Sequence, residues 1–143
     1  RMGGIVHRRG DPRFERRSAT EAVAAALADP TCVMVNRNAG SGTRILADRL
    51  LGGARPEGYF NQPKSHWAVA AAIAQERADW GLAIEPVARA QGLAFIPVAE
   101  EHYDFALVPA RRTRPAVQAF LEILRLPETG EALWALGFTP ATT

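Results

Sequence analysis

A chain of 143 residues is long enough for one domain with its own core, and its composition, 48% hydrophobic and 22% charged, is that of a globular protein and not of a low-complexity one. No stretch approaches the roughly 18 consecutive apolar residues of a membrane span. The formal charge is only +2, and Lys64 is the single lysine among 17 basic residues, so the chain lacks the footprint of a nucleic-acid-binding surface.

The chain opens with Arg1, Arg8, Arg9, Arg13, Arg16 and Arg17, diluted by Asp11 and Glu15, which reads as a solvated face. No apolar signal-peptide core precedes them, and the expected location is cytoplasmic. Cys32 is the single cysteine, so no internal disulfide is expected, and it reads as a small core hydrophobe.

Gly3–His7 (GGIVH) is predicted to be a strand, stopped by the turn Gly10-Asp11-Pro12. Ser18 and Glu21 form a capping box that starts a helix over Ala19–Ala28. Cys32–Val35 is an apolar run of strand length, and Asn36–Gly42 turns into a helix over Thr43–Leu51. Gly58–Asn61 carries a weaker strand signal. Ser65 then precedes an apolar helix over His66–Arg77, followed by a strand at Trp80–Ile84, a short helix at Pro86–Gln91 and a strand at Leu93–Val98. Tyr103–Val108 reads as a last strand, and two helices finish the chain, over Pro115–Leu124 and Glu128–Leu136. Strands alternating with helices on short connections predict an α/β fold, with a mostly parallel sheet covered on both faces.

The chemistry concentrates in Val35-Asn36-Arg37-Asn38-Ala39-Gly40-Ser41-Gly42-Thr43-Arg44. This stretch leaves a buried strand and enters a helix. The backbone N–H groups of Ser41, Gly42 and Thr43 therefore lie where no intrahelical acceptor reaches and where the helix dipole is positive. Gly40 and Gly42 keep side chains out of the way, Ser41 and Thr43 add hydroxyls, and Arg37 or Arg44 adds a fork of charged donors. Such a set suits a tetrahedral oxyanion. The simpler reading is a plain capped helix behind a glycine turn. A Walker loop and a dinucleotide fingerprint are both excluded, because neither spacing occurs. Ser65 opens the next helix and is either a second donor or its structural cap.

Arg37-Asn38-Ala39-Gly40-Ser41-Gly42-Thr43 resembles the R-x-x-x-S-G-T loop of oxyanion-binding proteins. Together with Gly58-Tyr59, Ser65–Ile84 and Gly92–Leu107, it resembles the type II periplasmic-binding-protein-like domain fused to molybdopterin-biosynthesis proteins or to molybdate-responsive helix-turn-helix regulators. The resemblance implies a three-layer αβα domain with two lobes and an anion in the cleft between them. It assigns about residues 8–102 to a complete second lobe, and residues 1–7 and 103–143 to a remnant of a first lobe whose N-terminal part is missing. Phosphate binders of this class carry an acidic residue where Ala39 stands. Its absence favours an oxyanion with no proton at neutral pH, which the resemblance narrows to molybdate or tungstate.

No catalytic set emerges. His7, His66 and His102 are scattered, and nothing has the spacing of a metal cage. Glu100 and Glu101 are adjacent on a strand and would face opposite sides. The resemblance implies a role in turn geometry for Asp79, and Trp67, Trp80 and Trp134 read as core. The expected protein is therefore no enzyme and needs no cofactor or metal. It is an oxyanion sensor or carrier with Arg37, Ser41, Gly42, Thr43, Arg44 and Ser65 as its site. The competing expectation is an interaction module, a domain whose partial lobe exposes apolar surface for homo-oligomerisation or for a fused partner.

Overall fold

A computed structural model of the chain describes residues 1–139. They divide into two compact units, Met2–Glu100 in one and Arg1 with the chain from Glu101 onward in the other.

The larger unit is built on a sheet of four strands: β1 (Met2–His7), β2 (Met34–Val35), β3 (Trp80–Ile84) and β4 (Ala94–Glu100), in the order β2-β3-β1-β4. Its helices are α1 (Ala19–Ala28), α2 (Gly42–Leu51), α3 (His66–Ala74) and α4 (Glu85–Ala90). β2 runs parallel to β3, but β1 lies between β3 and β4 and is antiparallel to both, with Ile5 opposite Leu82 on one side and Ile96 on the other. The expectation of a mostly parallel sheet is thus corrected to a mixed one. A helix between two strands signals a crossover, yet nothing in an apolar pentapeptide such as GGIVH says which way it runs. β1 also lies inside this unit, as a central strand of its sheet.

Neighbouring residues along each strand feed two separate cores. Ile5, Met34, Trp80 and Leu82 pack with Phe14, Val23, Ala26 and Leu51, whereas Val6, Val35 and Ala83 pack with Val69, Ile73, Val87 and Leu93. α1 and α2 therefore supply one cluster, and α3 and α4 the other. Covering both faces is why the strands read as continuous apolar runs without polar alternation. Phe14, inside the arginine-rich opening, is fully buried between His7, with ring centroids 5.0 Å apart, and Trp80, at 6.0 Å. Burying a side chain of that size contributes roughly 1.5–3 kcal/mol.

The caps form as expected. Ser18 and Glu21 exchange hydrogen bonds with each other's backbone at 3.3 and 2.8 Å, closing the first turn of α1. α3 stops at Ala74, short of Arg77, because Glu76 turns left-handed (φ 59°) and the Arg77 and Ala78 amides both return to the Ala72 carbonyl.

Two expected strands are absent. Gly58–Asn61 is a turn, with Gly58 at φ 83° and so close to the Met34 carbonyl that a Cβ would collide with it. This segment still serves β2 from outside, since Met34 donates to the Glu57 carbonyl at 2.8 Å and Asn36 to that of Asn61 at 2.9 Å. Tyr103–Val108 has strand composition but no strand pairing.

The smaller unit holds α5 (Pro115–Arg125) and α6 (Pro127–Ala135), joined at Leu126. Tyr103, Phe105 and Phe120 form an edge-to-face chain, and Arg1 pairs with Glu101 at 3.1 Å while its guanidinium lies over the Phe138 ring. No residue from His102 to Thr139 is buried. Trp134 is 71% exposed and Trp67 54% exposed, so of the three tryptophans expected in the core only Trp80 lies there. Trp67 falls opposite the arc of α3 that buries Val69, Ala70, Ala72 and Ile73, a split that so uniformly apolar a helix conceals in its sequence.

Candidate functional site

β2 ends at Val35, and the next residues organise everything around the following loop. Asn36 is buried; its amide group donates to the Tyr59 carbonyl at 3.3 Å and its side-chain oxygen accepts the Arg37 N–H at 2.9 Å. Asn38 donates its N–H to the Pro63 carbonyl at 3.2 Å, which ties the loop to the segment entering α3. The predicted anion loop and the predicted second helix start are thus neighbours.

Arg37 stands where the two meet. It is 8% exposed, an unusual degree of burial for an arginine. One terminal nitrogen, Nη1, lies 3.0 Å from Nδ1 of His66; the other, Nη2, donates to the Lys64 carbonyl at 3.3 Å and to Asn38 Oδ1 at 3.5 Å. Groups of the loop and of the α3 start hold the cation.

The helix starts divide the remaining roles. Gly40 has φ 84°, a conformation that a residue with a Cβ rarely adopts, and it allows the reversal that aims the chain into α2. Neither Gly40 nor Gly42 has anything within 4 Å of where a Cβ would stand. Ser41 is the N-cap: its hydroxyl accepts the Arg44 N–H at 3.2 Å, and its own N–H closes the turn on the Asn38 carbonyl at 3.3 Å. Gly42 and Thr43 follow as the first two residues of α2, at the positive end of its dipole. Ser65 caps α3 in the same manner, accepting from the Ala68 N–H at 3.1 Å.

Arg44 is turned back along its own helix. Its guanidinium bonds Asp48 at 3.0 Å, the Tyr59 hydroxyl at 2.7 Å and the Arg37 carbonyl at 3.1 Å, and it stacks 4.6 Å from the centre of the Tyr59 ring. It fastens the loop to α2 and to the Gly58–Asn61 turn. The six expected residues lie on two adjoining segments, and Asn36, Asn38 and His66, not expected as site residues, stand between them. The available signal for His66 was its place directly after a helix cap.

A second polar cluster lies at the opposite edge of the sheet, where β2 and β3 begin. Asp79 accepts from Arg8 and from the Val33 N–H at 2.8 Å and forms an ion pair with Arg13 at 3.1 Å, and Arg8 also caps the end of α3 through the Ile73 and Ala78 carbonyls. Every charge there is paired within the fold, in keeping with the turn role expected for Asp79. The Arg37 loop is instead at the carboxyl ends of the parallel pair β2 and β3, the edge where open α/β sheets bind ligands. Among the described residues no group of histidine, cysteine or carboxylate side chains is placed to hold a metal ion, and no helix is long and apolar enough to cross a membrane.

A family model described as the PBP superfamily domain matches residues 1–125. The chain belongs to that family. A PBP-like domain is in general a ligand-binding one, and the solved structures agree with the fold: an ancestral arginine-binding protein bound to glutamine superposes with a TM-score of 0.58, at 12% identity, over 93% of this chain and 57% of that one. Among curated proteins, the uncharacterised protein YvgK of Bacillus subtilis (strain 168) is 33% identical over 96 residues. Those residues are 64% of this PBP-like chain and 30% of YvgK, so the domain spans under a third of that relative's length.

Proposed function

We propose that this PBP-like domain binds a tetrahedral oxyanion, molybdate or tungstate, at the loop Arg37–Thr43. The observation that carries the reading is Arg37, a buried guanidinium held beside the start of α3 by the loop that opens α2. The Gly42 and Thr43 amides, the Ser41 and Thr43 hydroxyls and the Ser65 hydroxyl supply neutral donors around that charge, while Arg44 holds the loop in shape. Ala39 offers no acceptor for a ligand proton. A protonated anion would bury an unpaired donor there at a cost of about 1–3 kcal/mol, so a fully ionised one is preferred. The domain acts by closing on its ligand without chemistry, as a cytoplasmic sensor or carrier within a longer protein that includes a helix-turn-helix or molybdopterin-biosynthesis part. Calorimetric titration with molybdate, tungstate, sulfate, phosphate and glutamine tests this. Tight binding of the first two, weakened but measurable in Arg37→Ala, is expected; binding of glutamine alone, or of molybdate equally in Arg37→Ala, would overturn it.

A second reading has its own observation. Phe120, Ile123, Leu126 and Trp134 are all exposed in the unit that holds α5 and α6, which favours an interaction surface for a second copy or a fused partner. A chain that binds no anion but forms a stable dimer would decide for it.

A further inference from the structure

The Arg37–His66 contact fixes more than a distance. A guanidinium has five N–H donors and no acceptor, so at 3.0 Å from Nη1 the Nδ1 of His66 must present its lone pair. The ring is then neutral, with its proton on Nε2. Protonating Nδ1 would set donor against donor and break the contact. His66 is itself fixed, as the first residue of a helix whose cap is formed by the Ser65 hydroxyl. The Lys64 carbonyl and Asn38 Oδ1 hold the other end of the guanidinium, at Nη2. Acceptors on two segments thus set the plane of the fork, with the His66 ring at Nη1 and the Lys64 carbonyl and Asn38 at Nη2.

We infer that His66 is the positioning residue of the oxyanion site: through Nδ1 it fixes the orientation in which Arg37 meets the ligand. This rests on the reading of Arg37 as the ligand's charged contact, and it adds the group that makes Arg37 selective in direction. A pre-set fork costs less to order on binding than a mobile one, and its planar geometry discriminates among anions.

The test is a double-mutant cycle on the full chain, read by molybdate and tungstate titration. His66→Ala is expected to weaken molybdate binding about tenfold, whereas in an Arg37→Ala background the same change should cost nothing, because its effect runs through Arg37. His66→Asn, which returns an acceptor oxygen near the Nδ1 position, should recover most of the loss. Thermal unfolding of each variant without ligand separates binding from folding. Equal losses in both backgrounds, or no rescue by Asn, would overturn the inference while leaving the site intact. The site reading fails separately, if the unmodified chain binds none of molybdate, tungstate, sulfate and phosphate. Without ligand, the 15N spectrum of His66 should show an unprotonated Nδ1 at neutral pH, and a proton on Nδ1 would refute this positioning role.

Discussion

The Asp79 amide donates to the Val33 carbonyl at 2.7 Å, and the Asp79 carboxylate accepts the Val33 amide at 2.8 Å. One residue at the start of β3 thereby reads both backbone groups of the residue before β2. The parallel register of a two-residue strand is set by this clamp, with Arg8 and Arg13 neutralising the carboxylate. Asp79→Ala should destabilise the fold by about 2–3 kcal/mol, since it leaves two arginines and an amide without their shared acceptor. A urea midpoint unchanged from that of the parent would contradict the clamp.

Arg37→Ala should weaken molybdate binding by about 1.5–3 kcal/mol, the usual worth of a charge-assisted hydrogen bond. Arg77→Ala is the control, because Arg77 is bonded to Gln75 on an exposed surface. Arg44→Ala should behave differently from both and lower stability as well as affinity, as it releases Asp48, Tyr59 and the Arg37 carbonyl together. Calorimetry paired with thermal melts separates the three.

Burial pushes the Cys32 thiol up to about 11 from an ordinary value of 9.0. The folded state thus disfavours the thiolate, and the stability tied to the neutral thiol is complete below pH 9 and lost as the pH rises toward 11. Cys32 should react with disulfide reagents far more slowly than a free thiol at pH 8, and Cys32→Ala should flatten the alkaline limb of the stability profile. Rapid labelling of the native protein would count against this.

At the acid end the sign reverses. The Arg13 guanidinium, hydrogen-bonded to Asp11 at 2.7 Å, is the main cause holding that carboxyl below its ordinary 3.8, despite the opposing effect of burial. The stability it lends is present above pH 3.8 and disappears as the pH falls through the lowered value. Asp11→Asn should make unfolding less steep in that window, as followed by circular dichroism.

Purified chain is expected to self-associate through the unit that contains α5 and α6. Phe105, Ile123 and Trp134 are each more than half exposed. Apolar surface of that kind seeks cover, and a two-fold dimer is the commonest closed arrangement. Light scattering should show a dimer that Ile123→Glu weakens. A monodisperse monomer at high concentration would refute this.

Much of the fold was legible because local chemistry agreed with global packing. Ser18 and Glu21 announce a helix by their spacing, and Trp80–Ile84 is found at its expected bounds. Strand direction was not legible, because the antiparallel setting of β1 between β3 and β4 depends on partners far along the chain. Nor was Tyr103–Val108, whose β-forming residues find no strand to pair with. In the candidate site the loop was found through its glycines and hydroxyls. His66 and Asn36 escaped notice because their roles are contacts across 29 and 23 positions, which no local pattern encodes.

The short strand β2 lies at one margin of the sheet, but its outward amides at Met34 and Asn36 already donate to Glu57 and Asn61, on a segment that is not itself a strand. At the other margin β4 carries Pro97, which has no N–H to offer. Among the described residues each margin is thus interrupted, which hinders the zipping of another chain's strand that usually seeds fibrillar growth. Copies of this molecule that meet at high concentration are therefore expected to join through helices ahead of strand edges.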